Sequence, residues 1–420
     1  MLIEFSVENY LSIKKKQTFS LVANKSKELE ENIFNVAGNI NLGILKSAVI
    51  YGANAAGKSN LLLAFRSMVD IVLHSASHNQ AGDSLPVKAF KLSSDTINSP
   101  SEFEIIFIHN NIRYQYGFSA TEQQIIDEWL FAYPKGRPQK WFERSWNEDN
   151  SEFDWDFGSS LFGEKQLWQK STRNNALFLS TAVQLNSEQL KPVFTWFQKN
   201  IKLTGVSGWS KHYSASCCTN QFKSEILKFL KSADIGIDDI IVTKEKFNPS
   251  ELPEDMPEEL KKVIISSMEN EDVYDISTIH FNDKKEPVKF KLEEESHGTQ
   301  KLFSLAGPWL DALENGYTLL IDELNDALHP KIVSYLVTLF NDPTLNKHGA
   351  QLIFSTHETS IMNQNVFRRD QIWFCEKNDK NETNIYPLID YSPRKGRENL
   401  EASYLDGRYG ALPSIKKLGN

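Results

Sequence analysis

The sequence predicts an α/β fold: a parallel sheet joined to an antiparallel β subdomain and a helical insertion. Three observations carry this. The apolar runs in "KSAVIYG", "YTLLIDEL" and "AQLIFSTH" read as strands buried on both faces, and they alternate with segments of helical spacing. "EFEIIFIHNN", "IRYQYGFSA" and "QIIDEWLFAYP" are short β runs separated by turn residues, the pattern of a meander and not of a βαβ series. From Ser187 onward the pattern turns helical, and Pro249, Pro253 and Pro257 interrupt any heptad, so a compact insertion is expected in place of a coiled-coil arm.

In chain order, "LIEFSVENYLSI" and "QTFSLVA" are two opening β runs, and "KSAVIYG" is the strand that follows. "SNLLLAFRSMVDIVLHSA" is an amphipathic helix, and a polar connection with Gly82 and Pro86 leads to the meander. Asp154 and Asp156 in "FDWDFG" are expected in a turn, as surface polarity and not as a metal pair. "SEQLKPVFTWFQKN", with a Ser to cap it, "NQFKSEILKFLKSADIG", ending on Gly, and "DMPEELKKVIISSMENED" are three helices. "YDISTIHFN" and "PVKFKLEEE" return to strands. "GTQKLFSLAGPWLDALENG" is a helix, "YTLLIDEL" a strand, "HPKIVSYLVTLFND" a helix, and "AQLIFSTH" and "DQIWFCEK" are strands. The expected division is an N-terminal lobe at 1–184, a mainly helical insertion at 185–272 and a C-terminal lobe at 273–420.

Bulk composition narrows the class. No apolar run approaches the roughly 18 residues needed to span a bilayer, and "MLIEFSVENY" has no basic n-region or cleavable h-region. Cys217, Cys218 and Cys375 fit neither a disulfide framework nor a zinc site. A cytoplasmic chain without membrane contact is expected. The net charge of −9 argues against a nucleic-acid-coating surface. Local basic clusters at Lys14–Lys16, Arg368–Arg369 and Arg394–Arg397 permit nucleic-acid contact, but their plain reading is a solvated face.

The chemistry begins at Gly52-Ala-Asn-Ala-Ala-Gly57-Lys58-Ser59, which matches the phosphate-binding P-loop pattern in full, with an apolar strand before it and a helix after. The pattern calls for ATP with Mg²⁺. Backbone amides of the loop, from Gly52 through Asn54, Ala56 and Gly57 to Asn60, cradle phosphates at a helix N-terminus. Lys58 reaches the terminal phosphates and Ser59 ligates the metal. Asp322, ending an apolar strand, is the second metal-side residue. Glu323 follows it, where a carboxylate can orient and deprotonate an attacking water.

Order and spacing discriminate further. Residue 52 and residue 322 are far apart, and the acidic strand is preceded by "EESHGTQ" and followed by "NDALHP" and "FSTH". This order resembles ABC-type ATPases of the SMC and RecF kind. The resemblance implies a P-loop NTPase of ABC/SMC head type, with Ser296 and Gly298 in the signature motif that contacts the γ-phosphate held by a second protomer. It also implies a D-loop at Asn325–Leu328 and His357 as the γ-phosphate-sensing switch. His297 stands where the usual motif has its first glycine, and the Q-loop residue is expected near "NALFLSTAVQLN", at Gln184 or Ser180. Together with "YLDGRYGALP", these segments resemble the stand-alone RloA-type and OLD-like ATPases of bacterial phage-defence neighbourhoods. Gly407-Arg408-Tyr409-Gly410 is the most family-specific stretch, and the residues themselves suggest no chemistry for it.

The resemblance implies an ATPase that forms a homodimer through shared ATP sites, with larger assemblies of dimers known in such families. No TOPRIM-like Glu strand with D-x-D follows His357, so a nuclease under its control is expected on a separate chain. The alternative is a RecF/SMC-like DNA repair or chromosome ATPase. A transporter subunit fits poorly, since those lack the insertion and the "VENYLSI" opening. A scaffold with a dead site is at odds with an intact set of catalytic positions.

Overall fold

Ser47–Tyr51 is buried along its whole length and forms an inner strand of a six-stranded sheet. The computed structural model describes the chain except residues 37–41, 205–207, 221, 248, 250–255, 269–271 and 415–420. In spatial order the sheet runs Ile201–Leu203, Thr318–Ile321, Gln351–Ser355, Ser47–Tyr51, Ile372–Lys377 and Thr383–Pro387. The first five are parallel and the last pairs antiparallel. Strands that are apolar on both faces belong in such a position, so the three apolar runs are neighbours as expected.

The opening strand and the meander form a second, seven-stranded sheet, antiparallel throughout. Asn110 and Asn111 both have positive φ (50° and 60°), the conformation a two-residue hairpin needs between Ser101–His109 and Ile112–Ala120. Gln351 bridges the two sheets. Its amide accepts from the backbone N of Leu2 (2.6 Å) and donates to the carbonyl of Leu2 (2.9 Å), so a side chain of one sheet satisfies the backbone of a strand in the other. The helix Lys58–His74 shares this core: Phe65 stacks on Phe5 with ring centroids 3.6 Å apart. "FDWDFG" is the edge strand Glu152–Phe157 instead of a turn, with Asp154 and Asp156 on its exposed side. Asp154 accepts from Asn147 (2.9 Å) and Asp156 pairs with Lys140, so the expected surface role holds in a different element.

The chain divides into two compact units, Met1–Val206 with Leu313–Asn325 and Val333–Asn420, and Ser207–Ala312 with Asp326–Ile332. This differs from the expected boundaries. The helix Lys191–Asn200 belongs to the first unit because its apolar face is core: Trp196 is fully buried and stacks on Phe107 at 3.9 Å. The second unit is not helical alone. Asp239–Lys246, Asp272–Phe281 and Pro287–Lys291 form an antiparallel sheet there. The first strand was hidden by its mixed polarity, and the helix Lys211–Asn220 by its lack of amphipathic spacing. The third expected helix is Glu258–Met268; Pro253 before it lies outside the described residues. In the helix His297–Asn315, Pro308 withdraws the donor owed to the carbonyl of Ser304, and the hydroxyl of Ser214 replaces it at 3.2 Å. Ser214 fits there because Gly307 has no Cβ, which would lie 2.7 Å from the Cα of Ser214.

In the seven-stranded sheet, Glu128 is fully buried. It accepts from Arg144 (2.9 Å), from Tyr116 (3.0 Å), and from the backbone N of Phe178 and Leu179 (2.7 and 3.0 Å), capping the helix Phe178–Gln184. Removing one partner of a buried ion pair strands the other. Glu128→Ala should therefore cost about 3–5 kcal/mol, read by urea unfolding of the full chain. A loss comparable with that of an exposed substitution would contradict this account of the pair.

Candidate functional site

The loop after Ser47–Tyr51 turns sharply into the helix Lys58–His74, and two glycines make the turn feasible. Gly52 (φ +152°) and Gly57 (φ +111°) adopt conformations that L side chains avoid. A Cβ on the first would collide with the carbonyl oxygen of Cys375, and on the second with Thr383. Lys58 is buried and donates to the carbonyls of Gly52 (2.8 Å) and Ala53 (3.2 Å). Burial pushes its ammonium pKa below the usual lysine value, opposed by Asp322 and Glu323 nearby.

A relay of side-chain hydrogen bonds closes the loop. Asn60 donates to the hydroxyl of Ser12 (2.6 Å), Ser12 and Thr383 share a hydrogen bond (2.8 Å), and Thr383 donates to the carbonyl of Ala56 (2.8 Å). Since Thr383 gives its proton to Ala56, Ser12 is the donor between the two hydroxyls. The backbone N of Thr383 also donates to the carbonyl of Ser12 (2.7 Å). Sequence reasoning missed both hydroxyls. Ser12 sits in the "VENYLSI" segment, whose resemblance could have flagged it, whereas nothing around Thr383 gave a signal.

Opposite the loop, Asp322 follows the strand Thr318–Ile321, and one of its carboxylate oxygens accepts from Ser355 (2.5 Å). The backbone N of Glu323 donates to that same hydroxyl (2.8 Å), and Glu323 has φ +52°. His357 Nε2 lies 3.7 Å from Glu323 Oε1. Burial first, then Lys58, holds the imidazole pKa below the usual histidine value, against the pull of the two carboxylates. Asn325 accepts from the hydroxyl of Thr356 (2.9 Å) and the backbone N of His357 (3.2 Å). A cavity of ≈ 450 Å³ is lined by Asn54–Asn60, Glu323, His357 and Lys377, the last a lysine that sequence reasoning did not single out. Gly52, Asn54, Ala56, Gly57, Lys58, Ser59, Asn60, Asp322, Glu323 and His357 all belong to the first unit.

The donor set fits Mg²⁺. Ser59 and Asp322 offer a hydroxyl and a carboxylate as hard oxygen donors, and both line a second, smaller cavity whose other walls are Leu62, Leu63, Arg66, Leu203, Thr204 and Leu320. Among the described residues no three His, Cys, Asp or Glu side chains gather as a metal cage. Magnesium bound by one or two protein oxygens, with the rest from phosphate and water, needs no such cage.

Ser296 and Gly298 belong to the second unit. The hydroxyl of Ser296 accepts from the backbone N of Thr299 (3.1 Å) and caps the helix that follows. Glu295 beside it accepts from Thr278 (2.5 Å) and bonds His280 (2.7 Å), anchoring the turn to a strand. Gly298 leaves only 3.1 Å between an added Cβ and the carbonyl of Ala327, while His297 is exposed and has room.

Two expectations need correction. Ser180 is buried and spends its hydroxyl on the carbonyl of Val72 (2.6 Å). Gln184 is exposed at the end of the helix Phe178–Gln184, and neither residue lines the cavity. Thr204, after the sheet's edge strand, stands nearer the metal-side residues. Arg368 is no solvated cation: it is fully buried, paired in two-pronged fashion with Asp370 (2.9 and 2.8 Å), so it is withdrawn from any nucleic-acid surface. Arg369 pairs with Glu28 at 3.2 Å. Among the described residues no helix is long and apolar enough to cross a membrane.

A family model described as "AAA domain, putative AbiEii toxin, Type IV TA system" matches residues 47–363. No curated protein matches. Among solved structures, the SMC head domain from Thermotoga maritima is 12% identical, with 92% of this chain and 98% of that one covered at a TM-score of 0.39. The SmcHead bound to the C-winged helix domain of ScpA gives 13%, 92%, 97% and 0.41. The Smc head domain with an extended coiled coil, bound to the C-terminal domain of ScpA and derived from Pyrococcus furiosus, gives 14%, 92%, 96% and 0.42. Likenesses this distant carry no argument, and the fold stands on the chain's own topology.

The hydroxyl relay yields a test. Thr383→Val removes the donor to Ala56 at nearly constant volume, which leaves the carbonyl and Ser12 short of a partner. Nucleotide affinity, measured by calorimetric titration with ADP, should fall about 5- to 30-fold for a loss of roughly 1–2 kcal/mol. Unchanged affinity would remove the relay from nucleotide binding.

Proposed function

From the chain's membership of this AAA-domain family, whose model matches residues 47–363, we propose that it is an ATP-binding and hydrolysing switch. The observation that carries the reading is the pairing of Glu323 with His357 across a cavity whose other wall is Asn54–Asn60, with Lys58 buried beneath it.

Lys58 exchanges the carbonyls of Gly52 and Ala53 for the terminal phosphate oxygens, while loop amides around Asn54, Ala56 and Gly57 and the helix N-terminus at Ser59–Asn60 take the rest. Ser59 and Asp322 hold Mg²⁺, which when bound offsets the charge of the phosphates. Glu323 orients the attacking water and takes its proton. His357, whose imidazole pKa is held below the usual value by burial and by Lys58, offers an N–H to the γ-phosphate and senses its presence.

Ser296 and Gly298 of a second copy complete each site, so that two chains close around two ATP molecules. A helix N-terminus capped by an exposed serine is suited to meeting an anion from outside its own unit. Hydrolysis opens the pair and releases or activates an effector, which we read as a separate nuclease chain in an anti-phage system of the RloA or OLD-like kind. The family description, with its reference to an abortive-infection type of toxin, agrees with that setting.

Glu323→Gln keeps the shape of the site and removes the base. Turnover should fall about 10²–10⁴-fold while ATP remains bound, and the closed dimer should persist in light scattering after size exclusion. Turnover at the wild-type rate would rule Glu323 out as the base. Lys58→Ala and Ser296→Arg should each abolish turnover alone. Mixed, they should recover a fraction of it, because one of the two sites in the mixed dimer is then intact. Failure of the mixture to recover any activity would count against shared sites.

A further inference from the structure

We propose that Ser355 is a positioning residue for both carboxylates of the site, Asp322 and Glu323. Its hydroxyl sits fully buried at the end of the strand Gln351–Ser355 and bonds both residues at once. The two strands pair through Ile321 and Phe354, and their regular ladder ends there. Beyond it, backbone and side-chain groups of 355–357 take over the pairing with 322–325. The carbonyl of Ser355 accepts from Leu324 (3.1 Å), its hydroxyl links Glu323 N to Asp322, and Thr356 and His357 bond Asn325.

The direction of this junction is fixed. Glu323 N–H can only donate, so it occupies a lone pair of the Ser355 oxygen, and the hydroxyl proton points to Asp322. One carboxylate oxygen of Asp322 is thereby held, which restricts the rotation of a carboxylate that shares a cavity wall with Ser59. The bond from its own N–H helps hold Glu323 at φ +52°, a conformation disfavoured for a residue with a Cβ unless its surroundings impose it. Ser355 thus sets the metal-side carboxylate and the backbone from which the proposed base projects, without touching the nucleotide itself.

This inference rests on the ATPase reading, and the test separates the two. Turnover and its KM for ATP are measured on the full chain, and Mn²⁺ binding in the presence of ADP is followed by electron paramagnetic resonance. Ser355→Ala should lower kcat and weaken Mn²⁺ binding, each by about 10–100-fold, with KM for ATP changed much less. Ser355→Thr, which keeps the hydroxyl, should recover most of both. If the alanine variant fails to fold, Ser355→Cys, close in volume but a weak hydrogen-bonding partner, should show the same losses in milder form. Wild-type kcat and Mn²⁺ affinity in a folded alanine or cysteine variant would overturn the proposal. So would a drop in thermal midpoint alone, since a merely structural serine predicts that. A wild-type chain that binds Mn²⁺·ADP but never turns over ATP would sink the ATPase reading, while the Mn²⁺ titration would still report on Ser355.

Discussion

The carbonyl of Ala56 accepts a hydrogen bond from Thr383, and the shape of the phosphate loop depends on that contact. Gly57 exists as glycine because Thr383 and Ser12 occupy the space where a side chain would go. The two hydroxyls come from opposite ends of the chain, one from the turn after the first strand and one from the antiparallel edge strand of the six-stranded sheet. The six-stranded sheet must therefore be complete before the loop has its final form. A short local motif is held in place by the most non-local pairing in the fold.

Electrostatics makes the same point from inside the loop. A buried ammonium is costly without partners, and Lys58 meets that cost with two loop carbonyls and the nearby charges of Asp322 and Glu323. Carbonyl oxygens are weaker partners for an ammonium than phosphate oxygens, which add the attraction of an opposite charge. Exchange of one set for the other is favourable and needs little rearrangement. The carboxylates are likewise arranged in advance. With Ser355 and Asn325 fixing the ends of two adjacent strands, the acidic pair and His357 are held by the sheet and not by a mobile loop.

Whatever depended on period, composition or a compact motif could be read in the sequence. The inner strands announced themselves by unbroken apolar runs, the meander by its asparagine turn, and Gly52–Ser59 and Asp322–Glu323 by type and spacing. Contacts between residues hundreds of positions apart gave no such signal. Ser12, Thr383 and Ser355 are ordinary hydroxyl residues whose importance lies in what faces them. The misplaced insertion boundary has the same cause. Lys191–Asn200 has a helical pattern whichever unit it joins, and only the stacking of Trp196 on Phe107 assigns it to the first. Arg368 also read as a surface cation because its partner Asp370, though two residues away, matters only once both are buried.

The stretch Gly407–Gly410 lies outside the residues that the family model matches, and packing accounts for it. Gly407 and Gly410 both have positive φ (83° and 67°), and a Cβ on Gly410 would press on the hydroxyl of Tyr386 at 2.8 Å. Tyr409 is fully buried, donates to Glu398 (2.5 Å), and its carbonyl accepts from Tyr386 (2.9 Å). Arg408 joins the same glutamate at 2.7 Å. The next residue, Ala411, donates its backbone N to Glu376 (3.1 Å), which stands beside the cavity-lining Lys377. The two glycines and Tyr409 are thus fixed by a turn or a buried bond and Arg408 by an exposed ion pair, and none needs a role in phosphate chemistry to account for its type. What the motif does is dock the C-terminal segment against the strand that carries Lys377. A stretch that stands out in a sequence can accordingly owe its residue types to packing, while the phosphate loop and the acidic pair stand out by type and spacing.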